Sequence, residues 1–153
     1  MSKTAKTLLV VFGAIAGIFF LIAAGAWFWW SSNSGNIVKS GSEAMIEGQT
    51  HGRGTNEASC VAAVIARHKG GAKDISTAMV SGLWLKSCLE ASKPSDALCK
   101  GAPSPDEVVA MGKWIGSICV NMGAADPYCP AALQALPKYC HGPERTEKIK
   151  NAK

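Results

Sequence analysis

Residues 56–92 read NEASCVAAVIARHKGGAKDISTAMVSGLWLKSCLEAS, and this stretch decides the fold. Thr55 or Asn56 can cap a helix whose apolar positions Ala58, Val61, Ala62, Ile65 and Ala66 recur at i, i+3, i+4 spacing as far as about His68. Gly70-Gly71 breaks that pattern. Asp74 then caps a second helix running to about Ser92, with Met79, Leu83, Trp84, Leu85 and Leu89 as its interior residues. Near Leu83–Leu85 the apolar positions cover most of the circumference, which predicts a central helix. Cys60 stands near the start of the first helix and Cys88 near the end of the second, so an antiparallel pair brings them face to face.

Downstream, Ser104-Pro105-Asp106-Glu107 supplies a capping hydroxyl, a proline for the first helical position and a glutamate three residues after the cap. Val108, Met111, Ile115, Ile118 and Met122 follow at helical period, and Gly123 is placed to end the helix. A short last helix is expected from Pro130 to about Leu136, with Pro137 near its end. From His141 onward the chain is charged with little to bury, and residues 141–153 are expected to be disordered. No alternating run argues for a sheet, so the fold class is all-α.

Upstream, residues 8–30 read LLVVFGAIAGIFFLIAAGAWFWW, without a charged or polar side chain. A bilayer core needs roughly 20 apolar residues in a helix. Lys3 and Lys6 precede the block, and positive charge favours the cytoplasmic side, so the N-terminus is expected in the cytoplasm and everything after Trp30 across the membrane. Trp27, Phe28, Trp29 and Trp30 close the span as an interfacial belt. Gly13 and Gly17 form a small-xxx-small notch of the kind that lets membrane helices approach closely. The competing reading is a signal peptide cleaved near Ala26, after Ala24-Gly25-Ala26, which would leave a secreted domain with four aromatics at its start. Ser31 to Gln49 is rich in Ser, Gly and Asn and reads as a flexible tether, continued as a loop through Gly54. The expected organisation is therefore a cytoplasmic N-terminus (1–7), a transmembrane helix (8–30), a tether (31–54), a disulfide-stapled bundle of about four helices (55–140) and a charged tail (141–153).

The chain has 153 residues, and all six cysteines follow the hydrophobic block, at Cys60, Cys88, Cys99, Cys119, Cys129 and Cys140. An even number on one side of a membrane, in a small domain, points to disulfides in an oxidising compartment. Many pairings are open in principle. Helix geometry favours Cys60–Cys88, Cys119–Cys129 flanking the turn between the third and fourth helices, and Cys99–Cys140 where the chain returns. No two cysteines are spaced Cys-x-x-Cys, and only Cys140-His141 are adjacent, so neither a redox site nor a zinc site is indicated.

The formal charge of +5 is diluted by its distribution: beyond the block, 14 of the 16 Lys and Arg stand against 11 Asp and Glu. The signs alternate along the chain, which is a solvated surface and not the basic face of a nucleic-acid binder. His51, His68 and His141 are far apart, and no nucleophile, base and acid converge in sequence. Asp106 and Glu107 belong to a helix start. Trp84, Trp114, Met79, Met111 and Met122 read as core, and Arg53 between Gly52 and Gly54 as a loop. No catalytic, metal or cofactor residue is assigned.

Two resemblances bear on the reading. The Cys88-x10-Cys99 and Cys129-x10-Cys140 spacings loosely resemble the twin-cysteine helical hairpins of mitochondrial intermembrane proteins, from which the N-terminal span and the intervening loops depart. Closer, the stretch Glu47-Gly-Gln-Thr-His-Gly-Arg-Gly-Thr-Asn-Glu57 with Cys60, then Leu85-Lys-Ser-Cys-Leu-Glu90 and Leu98-Cys-Lys-Gly-Ala-Pro103, is similar to a group of uncharacterised bacterial single-span envelope proteins with a cysteine-rich helical periplasmic domain. That resemblance implies a bacterial inner membrane, a single pass and a periplasmic C-terminal domain. The absence of an Asn-x-Ser/Thr sequon agrees with it. The functional expectation is a non-enzymatic interaction or accessory subunit whose partner is another envelope or membrane protein. A periplasmic inhibitor or immunity-type protein and an envelope enzyme with an unrecognised site are the alternatives.

Overall fold

The computed structural model describes the backbone of residues 3–95 and 97–152; for residues 3–11, 14, 29, 30 and 32–37 it describes the backbone alone. Among the described residues the regular elements are helices: α1 (Lys3–Arg53), α2 (Glu57–Gly70), α3 (Ile75–Ala91), α4 (Val108–Asn121), α5 (Cys129–Ala132), α6 (Ala135–Cys140) and α7 (Pro143–Asn151). The chain divides into two compact units, Met1–Lys39 and Ser40–Lys153.

In the first unit, Phe12, Ile15, Ile18, Phe19, Phe20, Leu21 and Ile22 are all exposed, so the apolar surface runs around the whole helix instead of along one stripe. Among the described residues no helix is long and apolar enough to cross a membrane. The side chains of residues 8–11, 14, 29 and 30, which belong to the uncharged block, lie outside the described residues.

The second unit is built on α3, which packs against α2, α5 and α6. Leu85, Cys88 and Leu89 of α3 are fully buried with Cys60 and Val64 of α2 and with Leu133 and Leu136 around α5 and α6. Asn56 caps α2 by accepting from the Ser59 amide at 3.0 Å, and Asp74 caps α3 by accepting from the Thr77 amide at 2.9 Å. The start of α2 is tied to the end of α3 by a single parallel bridge, in which the Glu57 amide donates to Lys93 O and the Lys93 amide to Thr55 O. Disulfides join Cys60 to Cys88, Cys99 to Cys140 and Cys119 to Cys129, the pairs that helix geometry favours.

Several sequence expectations are corrected. The tether is helix: α1 continues to Arg53, and its residues from Ser40 belong to the second unit. Gly48 and Gly52 are the cause, because they sit directly on the α3 backbone. A Cβ on Gly48 would fall 2.2 Å from Trp84 O, and one on Gly52 would fall 2.4 Å from Cys88 O. These glycines mark a close helix crossing, not a flexible linker.

The tail is also ordered, as α7, for reasons that lie in the site described below. Instead of about four helices, the domain holds the last turns of α1 and six further helices. The expected last helix is split into α5 and α6, and Pro137 lies inside α6, not near its end. α4 begins at Val108, three residues later than its capping sequence suggests. The Ser104 amide donates to Glu107 Oε2 at 3.1 Å, so half of the capping box forms as a turn ahead of the helix. Gly123 does end α4, with φ +70°. The buried face of α2 is Glu57, Cys60, Val61, Val64, Ile65 and His68, so Ala58, Ala62 and Ala66 point outward. Two polar residues at the ends of that face are held by partners, and this rotates the stripe away from the alanines.

Candidate functional site

Two polar clusters are buried in the second unit, and neither stands out in the sequence. The first surrounds Glu57, whose side chain has no solvent exposure. Its position in the first turn of α2 turns the carboxylate towards α6 and α7. The Ser95 amide donates to Oε2 at 2.8 Å and the Tyr139 hydroxyl to Oε1 at 2.9 Å. The Arg145 guanidinium donates through Nε to Oε1 at 3.0 Å and through Nη2 to Oε2 at 3.3 Å, and also reaches Ser95 O. A buried carboxylate is tolerable only when paired and hydrogen-bonded, and Arg145 in α7 is the group that pairs it.

Lys148, one turn further along α7, donates to Leu89 O at 2.7 Å and Ser92 O at 3.1 Å, closing carbonyls at the end of α3. Burial raises the Tyr139 hydroxyl well above its ordinary value, reinforced by the hydrogen bond and charge of Glu57. Burial likewise lowers the Lys148 ammonium. α7 buries no residue of its own, so these contacts explain why a charged segment is helical here.

The second cluster is His68 with Asp126. His68 is fully buried, and its Nε2 lies 2.8 and 3.0 Å from the two Asp126 oxygens. Asp126 Oδ1 also accepts from the amides of Tyr128 and Cys129, fixing the entry to α5 beside the Cys119–Cys129 bond. Burial raises the Asp126 carboxyl, but the His68 hydrogen bond, the Tyr128 amide, the His68 charge and the Cys129 amide together hold it below the ordinary carboxylate value. His68 Nδ1 is buried without a hydrogen-bond partner. Chemically the pair is a strut between α2 and the loop before α5.

The residues singled out in the sequence are dispersed. His51 lies against Trp84, with ring centroids 5.3 Å apart and planes tilted by 46°, and His141 Nε2 lies against the carbonyls of Ala102 and Pro103. The three histidines thus stand in separate surroundings. Among the described residues, no group of three His, Cys, Asp or Glu side chains is placed to hold a metal ion. Trp84 is core; Trp114, Met111 and Met122 are partly buried against it. Met79 and Leu83 are not core residues: with Ile75 they form an exposed row at i, i+4, i+8 on α3. Beside them is a shallow apolar depression of about 220 Å³ lined by Met79, Gly82, Leu83, Lys86, Gln134 and Ala135. Gly13 and Gly17 have no neighbour within 4 Å of an added Cβ. Trp27 and Phe28 are exposed, and the side chains of Trp29 and Trp30 lie outside the described residues.

No family model, curated protein or solved structure matches the chain. The class the fold defines is an all-helical domain closed by three disulfides.

Proposed function

We propose that this protein is a membrane-anchored interaction module, in which the Leu8–Trp30 block spans the inner membrane and the stapled domain works on the periplasmic side. The observation that carries the interaction reading is the pair of exposed apolar helix faces on a domain otherwise locked by disulfides. α3 presents Ile75, Met79 and Leu83, and α4 presents Val108, Val109 and Val120. A rigid domain loses little conformational entropy when such faces are covered, which favours specific association. The anchor reading rests on the uncharged sequence of residues 8–30, the lysines before it and the apolar surface around the helix. The Trp27–Trp30 belt and the Gly13/Gly17 notch belong to that reading.

The test is recovery of the full chain from its native membrane in a mild detergent, with intact mass measured after alkylation. An uncleaved chain without free thiols, recovered as a self-assembly or with a stoichiometric companion, is the expected result. A chain beginning near Trp27 would overturn the anchor. A lone monomer without any companion would overturn the interaction reading.

A further inference from the structure

The three disulfides differ in access. Cys60, Cys88 and Cys129 have no solvent exposure and Cys119 only 2%, whereas Cys99 and Cys140 are both partly exposed. Just after Cys99 the chain turns through Gly101 at φ +76°, where an added Cβ would meet nothing within 4 Å, so that turn is open to an approaching molecule. Thiol–disulfide exchange begins when a thiolate reaches a disulfide sulfur, and its rate depends on that access. However much a bond adds to the stability of the whole domain, that stability does not shield an accessible sulfur.

Cys99–Cys140 also joins the two parts of the chain that meet at Glu57. Ser95, shortly before Cys99, donates its amide to Glu57 and accepts from Arg145 through its carbonyl. Arg145 follows Cys140 within the first turn of α7. At the junction itself His141 Nε2 lies against Ala102 O and Pro103 O. Because α7 buries no residue, its docking depends on this bond near its start and on the polar contacts of Arg145 and Lys148.

We infer that Cys99–Cys140 is a reducible clasp: a dithiol of the thioredoxin-like class opens it, and opening it releases α7 from Glu57 while Cys60–Cys88 and Cys119–Cys129 keep the core closed. One thiolate of the dithiol attacks either sulfur of the pair, breaking the S–S bond and forming a mixed disulfide. The displaced sulfur leaves as a thiolate and takes up a proton. The second sulfur of the dithiol then attacks its partner in the mixed disulfide, and the remaining cysteine leaves and is protonated in turn. Two electrons and two protons pass from the dithiol, which ends as a disulfide, to Cys99 and Cys140, which end as thiols. The opened state is an order-to-disorder change confined to α7 and the turn after Cys99. Coupling of this kind is reciprocal, so the Glu57–Arg145 pair also steadies the bond. The inference depends on neither the anchor nor the interaction reading.

The experiment is graded reduction of the full chain in detergent micelles, at neutral pH, in buffers of rising ratio of reduced to oxidised dithiothreitol. Thiols are alkylated at each ratio, counted by intact mass and located by peptide mapping. The expected intermediate carries free thiols at Cys99 and Cys140 alone, and it forms at a ratio at least about tenfold below that which opens the other bonds. In that species the amides of residues 143–151 should lose exchange protection while those of α2 and α3 keep theirs, and reoxidation should restore the parent pattern. Arg145→Met should lower the opening ratio at least about fivefold. No opening without denaturant would overturn the inference, as would all the thiols appearing together. So would a first opening at Cys60–Cys88 or Cys119–Cys129. An intermediate with α7 protected as in the parent, or an Arg145→Met chain that opens at the parent's ratio, would overturn it too, because the bond would then not hold α7.

Discussion

Replacing Arg145 with methionine keeps the length and apolar stem of the side chain but takes the only guanidinium away from a carboxylate that water does not reach. Glu57 keeps the Ser95 amide and the Tyr139 hydroxyl, two donors of about 1 kcal/mol each in net terms, and loses two charged contacts at 3.0 and 3.3 Å. Removing one partner of a buried ion pair costs about 3–5 kcal/mol. The lower end applies here, because α7 buries nothing of its own and can lift to let water reach Glu57. A loss of about 3 kcal/mol lowers the melting temperature of a domain this size by about 10–15 °C.

The assay is thermal and denaturant unfolding with the disulfides intact, combined with amide exchange over residues 143–151. Those amides should lose protection in the variant. Glu57→Gln in the same background should recover most of the loss, giving a coupling of about 2 kcal/mol. A change below about 1 kcal/mol with exchange in α7 unaltered would refute the role assigned to the pair.

Three other outcomes follow from the geometry. Gly52→Ala and Gly48→Ala gain about 1 kcal/mol of helix propensity, but each puts a Cβ against α3 backbone, so both should destabilise by about 1–3 kcal/mol in denaturant melts. The Tyr139 hydroxyl is raised in the folded state above its ordinary 10.0, so the unfolded chain gives up that proton first. The stability difference between the parent and Tyr139→Phe should therefore shrink as pH rises past about 10, and a flat difference would show that the hydroxyl is not held as described. Finally, the disulfides close segments separated by 41, 28 and 10 residues, so chain entropy assigns about 3.9, 3.6 and 2.7 kcal/mol to Cys99–Cys140, Cys60–Cys88 and Cys119–Cys129. Pairwise serine variants ranked by melting temperature should follow that order.

α2 and α3 were legible because their signals are local: Asn56 and Asp74 cap the helices that follow them, and Gly70-Gly71 separates the two. The segment ending at Arg53 was not. Gly48 and Gly52 lower helix propensity and read as linker, while their purpose is visible only against Trp84 and Cys88, more than thirty positions away. Glu57 stands in the first turn of α2, where an acid ordinarily complements the helix dipole, and Arg145 in a charged segment, so nothing local marks either of them. Their pairing spans 88 residues, which no periodicity can reveal. Met79 and Leu83 were misplaced for a related reason. α3 is apolar nearly all round, and the sequence alone does not say which side its neighbours leave uncovered.

The span between Glu57 and Arg145 also sets a timetable. A chain synthesised at about 5–20 residues per second needs roughly 5–20 s to bring Arg145 out after Glu57 has emerged. Within that interval α2 can coil and, once Cys88 has followed, Cys60 can pair with it, yet the first turn of α2 carries an acid without its counter-charge. The nascent domain must leave that corner open to water until α7 arrives. The Cys60–Cys88 bond can therefore close before α7 has been made, and a chain cut after Cys140 should be an oxidised domain whose Glu57 has lost its counter-charge.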